Sequence, residues 1–192
     1  MTCIIGIARQ GRVVMGADSI VCNGGSESAT LSMPKIFHKG EFIICGCGAV
    51  RGLNLLQFSL IVPEQRAYQS DFSYMCTDFA TAVRKCFAEN EALVDTDDGK
   101  EMLSDLVVGY KGNIYYVGSD FDVQMRAGNF VTSGCGYPQA DGALHALLDL
   151  HPDMDIREVV HRALQAVQKC NCKVREPFTI LEYPVREGGA SV

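Results

Sequence analysis

The feature that most constrains this fold is the order in which strand-like and helix-like hydrophobic patterns alternate along the chain. Cys3 to Ile7 is an apolar, isoleucine-rich run, and Arg12 to Met15 resumes it after a Gln10-Gly11 turn, which predicts an opening β-hairpin. Cys22 to Ser32, rich in Gly, Ser and Asn, is expected to be a loop. Short strands are expected next at Lys35-Phe37 and Glu41-Cys47 around a Lys39-Gly40 turn, so four strands precede any helix. A first helix is expected near Val50 to Ile61, stopped before Pro63. A second starts at Asp71, where Phe72, Cys76, Phe79, Ala80, Val83 and Phe87 have the spacing of one buried face. The acidic stretch Glu89 to Glu101 then reads as a solvated loop.

Strands return at Met102-Tyr110 and Asn113-Gly118, joined by Lys111-Gly112, and at Asn129-Ser133, which ends in the turn Ser133-Gly134-Cys135-Gly136. Pro138 opens another helix, with Ala140, Ala143, Leu144 and Leu147 facing inward. Asp155 and Glu158 have capping-box spacing ahead of the stripe Ile156, Val159, Val160, Ala163, Leu164 and Val167. Pro177-Tyr183 is the last expected strand, and Glu187-Val192 is expected to be disordered. Hairpins, a helix pair, more hairpins and a second helix pair fit two antiparallel sheets stacked face to face with helices outside, an α+β build.

Residues 1-192 are expected to form a single domain, because a chain of this length with 47% hydrophobic residues can bury a sizeable core. No run approaches the roughly 18 apolar residues of a membrane span, and the N-terminus lacks the basic region of a signal peptide, so the expected location is cytoplasmic. The nine cysteines are odd in number and carry no secretion signal, which favours buried free thiols over a disulfide framework. A net charge of -6 and the absence of any Lys/Arg run argue against a nucleic-acid surface and favour protein or peptide partners.

Thr2 is the first candidate for chemistry. Removal of Met1 would place a hydroxyl and a free α-amine on one residue, and an amine titrating at about 7.7–8 can take the hydroxyl proton directly or through a water. A second-position threonine is common and means little by itself. The partner strand, however, ends in Gly16-Ala17-Asp18-Ser19, which sets an acid at the mouth of the same sheet. Lys35 opens the third strand, and a lysine between a carboxylate and a hydroxyl stabilises the anionic nucleophile. Gly46 and Gly48 end the fourth strand, where a main-chain N–H at Gly46 can face an oxyanion.

Thr2-Cys3-Ile4-Ile5-Gly6-Ile7, Gly11-Arg12-Val13-Val14-Met15-Gly16-Ala17-Asp18, Lys35-Ile36-Phe37 and Gly46-Cys47-Gly48 together resemble the opening of proteasome β-type subunits, with the bacterial HslV peptidase the nearest likeness. The likeness extends in order over nearly the whole chain. It implies an N-terminal nucleophile hydrolase with a four-layer αββα sandwich, in which Thr2 is the nucleophile and Asp18 and Lys35 are its charged supports. Ser133-Gly134, with Tyr137 and Gln139-Ala140 beyond, resembles the family's serine-glycine turn. Ser133 would accordingly hydrogen-bond near the threonine amine. Ile20, Leu31, Cys47 and Ala49 would line the substrate pocket by analogy.

The likeness further implies stacked hexameric or heptameric rings around a proteolytic chamber, unfolded polypeptide substrates, and an ATPase unfoldase or other activator, with no cofactor or metal in the chain itself. One residue more than usual separates Asp18 from Lys35, and the interval to Gly46 is one shorter. Where proteasomes place an aspartate near the amine, this chain has Lys169-Cys170-Asn171-Cys172-Lys173, without an acid.

Competing readings are weaker. Cys45-x-Cys47 and Cys170-x-Cys172 lack the ligand spacing of zinc sites. Cys3 becomes a nucleophile only if processing also removes Thr2, and inside an apolar strand it reads as core. Gly46-x-Gly48 and Gly134-x-Gly136 are not complete phosphate cradles. His38, His145, His151 and His161 are scattered and receive no role. Two other functions remain open at this point: a catalytically silent, structural or binding ring subunit, and an amidohydrolase acting on small amides through the same nucleophile.

Overall fold

The protein is described here by a computed structural model that covers residues 1–23 and 27–184. The expected disorder at Glu187-Val192 lies outside these residues. In chain order the first elements are strands β1 (Cys3–Arg9), β2 (Arg12–Ala17), β3 (Ile20–Asn23), β4 (Glu27–Thr30), β5 (Ile36–Lys39) and β6 (Phe42–Gly48). Helices α1 (Val50–Phe58), α2 (Asp71–Tyr74) and α3 (Ala80–Glu89) follow, the last two joined by a π-helical turn at Met75–Phe79. Strands β7 (Leu93–Thr96), β8 (Gly99–Met102), β9 (Ser104–Tyr110), β10 (Asn113–Val117), β11 (Val123–Gln124) and β12 (Phe130–Gly134) come next. Helices α4 (Tyr137–Leu150) and α5 (Ile156–Cys170) and strand β13 (Thr179–Tyr183) complete the order.

The opening hairpin forms as expected: Gln10 and Gly11 both have positive φ, the backbone twist that suits a two-residue connection, and they bring Arg9 opposite Arg12. Its strands are the centre of an antiparallel sheet ordered β12-β1-β2-β13, while a second antiparallel sheet runs β11-β10-β9-β6-β5. Three apolar clusters lie on the faces of these sheets. Ile4, Val13, Met15, Ile36, Ile43, Val107, Ile114 and Val131 meet between the sheets. Ile5, Ile7 and Val14 pack against α4 and α5, and Ile44, Leu106 and Val108 pack against α1, the π turn and α3. The sheets approach so closely at Gly6 that a Cβ there would lie 2.1 Å from the Ile114 side chain.

Several local expectations are corrected. The segment Cys22 to Ser32, expected as a loop, contains most of the β3–β4 hairpin, and the acidic stretch Glu89 to Glu101 contains most of β7–β8. Both are held by main-chain pairing, which a polar sequence can support without an apolar alternation to advertise it. The first helix stops at Phe58, three residues early. The π turn shifts the helical register. As a result Phe72 and Cys76 face solvent, whereas Tyr74, Met75, Phe79, Val83 and Phe87 are buried. Only half of the capping box forms: the Asp155 carboxylate accepts the Arg157 N–H at 2.9 Å, but Glu158 pairs with Arg162.

Candidate active site

Strand ends from both sheets converge at Thr2. Asp18 follows β2 in the first sheet, Lys35 precedes β5 in the second, and both side chains are almost entirely buried. The Lys35 ammonium donates to both Asp18 oxygens, at 3.1 and 3.2 Å, and to the Ile20 carbonyl. The carboxylate also accepts the main-chain N–H groups of Cys3 at 2.8 Å and Ile20 at 3.1 Å. Burial pushes the Asp18 carboxyl above its ordinary value, while Lys35 and the two N–H donors oppose that shift.

The remaining partner of Lys35 is the Met1 carbonyl, at 2.9 Å. The same oxygen accepts the Thr2 hydroxyl at 2.6 Å, so it lies between the ammonium and the hydroxyl. With Met1 removed, both donors lose that acceptor. The Thr2 main chain is fixed from the other side by Gly134, whose φ is +85° and whose missing Cβ would fall 2.2 Å from the Thr2 carbonyl. Only glycine meets both demands.

Ser133 pairs with Ile4 across β12 and β1, which directs its hydroxyl between the sheets. Thr2 directly precedes β1, whose first residue, Cys3, pairs with Gly134, the neighbour of Ser133. The Ser133 Oγ lies 3.3 Å from Cys47 Sγ. Cys47 in turn lies 3.9 Å from Asp105 Oδ2, a carboxylate that sequence reasoning overlooked because nothing in the local pattern of β9 marks it.

Gly46 is buried within β6, one step beyond the Ile36–Cys45 rung and hence alongside Lys35. Its missing side chain leaves room for Leu53 and Leu106, both 3.1 Å from the Cβ position. Gly48, at φ +119°, is where the strand becomes exposed. The Ala49 N–H is engaged by the Leu103 carbonyl at 2.9 Å.

Of the four residues expected in the substrate pocket, Ile20 touches the Asp18–Lys35 pair through its main chain, and Leu31 is tied to Ser19 by an N–H bond of 2.8 Å. Cys47 and Ala49 are half-buried on the segment leaving β6. Asn171 donates to the Cys135 carbonyl at 3.1 Å and accepts the Lys173 N–H, so it braces the turn after β12. Among the described residues no group of three His, Cys, Asp or Glu is arranged to hold a metal ion, and no helix is long and apolar enough to cross a membrane.

No protein-family model and no curated protein matches the chain. Solved structures do. BPH of Thiobacillus denitrificans in complex with epoxomicin is similar at a TM-score of 0.78 and 18% identity, over 96% of this chain and 99% of that one. HslV from Trypanosoma brucei is similar at a TM-score of 0.65 and 17% identity, over 94% and 98% of the two chains. The Anbu protein of Pseudomonas aeruginosa, solved as a helical assembly, is similar at a TM-score of 0.61 and 17% identity, over 95% of this chain and 81% of that one. With paired antiparallel sheets, flanking helices and near-complete coverage of BPH and HslV, the chain has the fold of the proteasome β-type, HslV-like subunits.

Proposed function

We propose that this chain is the threonine-type endopeptidase subunit of a self-compartmentalised, ring-shaped protease, active once Met1 has been removed from Thr2. The observation that carries this reading is the Met1 carbonyl held between the Lys35 ammonium and the Thr2 hydroxyl, at the end of a buried Asp18–Lys35 pair. The three apolar clusters support a four-layer αββα arrangement around that site.

In the proposed reaction the Thr2 Oγ1 attacks a peptide carbonyl carbon and its proton passes to the Thr2 α-amine. Lys35, held in place by Asp18, stabilises the developing alkoxide, and main-chain N–H groups of the Gly46 to Gly48 segment receive the oxyanion. Collapse passes that proton from the α-ammonium to the substrate nitrogen and expels the amine half of the substrate, leaving an ester on Thr2 and the α-amine free. Water, activated by the same α-amine, then releases the acyl half. Unfolded polypeptide is the proposed substrate, with Ile20, Leu31, Cys47 and Ala49 beside the bound chain, in stacked hexameric or heptameric rings in the cytoplasm that an ATPase unfoldase feeds. The helical Anbu assembly and the HslV likeness support self-association.

The test is hydrolysis of a fluorogenic peptide by the assembled protein and by Thr2→Ala, with intact mass reporting whether Met1 is present. Hydrolysis by the processed protein and none by the variant is expected; equal rates sink the reading. Since BPH binds epoxomicin, the same compound serves as a probe, with one added inhibitor mass expected on the wild type and none on Thr2→Ala. A second reading, a silent ring subunit, is favoured by Asn171 standing where an acid is expected. It requires that Met1 stay attached, leaving the Thr2 nitrogen an amide that cannot accept a proton.

A further inference from the structure

The run Lys169 to Lys173 at the end of α5 carries no carboxylate, and the Asn171 side chain is occupied by Cys135 and Lys173. A carboxylate approaches from another direction. Asp105 on β9 and Cys47 on β6 are opposite one another in the second sheet, and Ser133 reaches Cys47 from the first. Asp105, Cys47 and Ser133 thus form a chain of side chains across the gap between the sheets, ending at the residue next to Gly134, against which Thr2 lies.

We infer that Asp105, acting through Cys47, is the positioning acid of this site: it orients the Ser133 hydroxyl and adds negative charge on the side of the Thr2 amine. The inference rests on the peptidase reading above. Its chemistry follows from the donor inventory. Burial pushes the Cys47 thiol up, so it is an S–H donor at neutral pH; Asp105 Oδ2 at 3.9 Å accepts it, and the nearer Ser133 hydroxyl at 3.3 Å is the group that can itself donate. With that hydrogen committed, the Cys47 sulfur accepts the Ser133 O–H. The Ser133 lone pairs are then free to accept an N–H of the Thr2 amine, which leaves the amine's own lone pair for the Oγ1 proton.

Other charges at this corner do not replace Asp105. Asp18 and Lys35 compensate each other, and burial keeps Cys3 and Cys45 as neutral thiols. The Tyr116 phenol on β10, pushed up to about 12 mainly by burial, also meets Asp105 and is neutral. Arg126 stacks over the Tyr116 ring at 4.5 Å, and neither it nor any other described residue forms an ion pair with Asp105. Cys135, after β12, is a further titratable neighbour of the Thr2 segment, acting on Cys3.

A carboxylate near an amine raises the amine's pKa, so Asp105→Asn lowers it. Activity needs the unprotonated amine. The acid limb of kcat/KM is therefore expected to move to lower pH, on the order of one unit, for Asp105→Asn. Loss of Ser133 orientation should also lower kcat roughly 10- to 100-fold with little change in KM. Cys47→Val, which keeps the acid but breaks the connection, should lower kcat similarly, and Cys47→Ser should recover most of it. Cys47→Val also keeps the test open if Asp105→Asn does not fold.

The hydrogen bond itself is read without turnover, from the S–H stretch isolated by subtracting the infrared spectrum of Cys47→Ser from that of the wild type. Asp105→Asn should shift this band to higher frequency. An unshifted band, or an unchanged pH profile and kcat in both Asp105→Asn and Cys47→Val, overturns the inference. A shifted band in a wild-type protein that hydrolyses no peptide overturns the peptidase reading, and the catalytic role of Asp105 with it, while leaving the hydrogen bond in place.

Discussion

Lys35 and Asp18 are buried charges whose partners are nearly all supplied by each other and by main-chain atoms. Removing one partner leaves the other uncompensated, so Asp18→Ala should cost about 3–5 kcal/mol of folding stability in urea titrations. The double variant Asp18→Ala/Lys35→Met should lose less than the two single variants together, because no orphaned charge remains. Gly134→Ala tests the same site from the main chain. The positive φ and the approach to the Thr2 carbonyl should together cost roughly 1–3 kcal/mol, and displacement of Thr2 should reduce peptide hydrolysis on the order of 100-fold. The placement of Thr2, Asp18 and Lys35 next to strand ends was legible in the sequence, because such boundaries are marked by periodicity. Asp105 was not. Its significance depends on Cys47, distant in the chain, and on Ser133 in the other sheet, so only the stacking of the sheets reveals the three as neighbours.

At the level of elements, legibility followed the amount of apolar surface each one buries. Every residue of the expected α5 stripe is buried against the first sheet, because a helix covering one face must carry that face in its sequence. The β3–β4 and β7–β8 hairpins escaped notice for the converse reason: they are paired through main-chain hydrogen bonds, and their few apolar residues, such as Ile20, Leu93 and Met102, sit at the outer ends of the hairpins instead of alternating along them. The π turn escaped because one added residue per turn displaces the stripe without changing its composition. These differences lead to a contrast that urea unfolding can measure. Leu164→Ala, within the α5 interface, should cost about 2–5 kcal/mol, whereas Asp155→Ala, which removes the cap of that helix together with a half-exposed ion pair to Arg12, should cost about 0.5–2 kcal/mol. Equal losses would mean that the helix is held by its end rather than by its face.

For the whole molecule, the question is why so much apolar surface follows α1. Ile61 and Tyr68 are more than four-fifths exposed, Phe58 is 69% exposed, and Phe72 completes a run of large apolar side chains facing outward within fifteen residues. Isolated exposed apolar residues are ordinary, but several on one continuous segment mark a surface meant to be covered. Self-association would cover it, and a closed ring requires each subunit to present complementary patches to two neighbours. Ile61→Glu with Tyr68→Glu should therefore convert a large assembly into the 20.9 kDa chain in native mass spectrometry, without loss of the circular dichroism of the fold. Leu150→Glu, at an exposed apolar residue at the end of α4 on the other side of the sheets, is the control. If both changes dissociate the assembly alike, exposure alone is responsible. If neither does, the segment after α1 is not an interface. Selective dissociation by the first pair, accompanied by loss of peptide hydrolysis, would tie the Thr2 site to assembly, since a strand-end nucleophile in an unassembled subunit would retain its local geometry but lose the chamber around it.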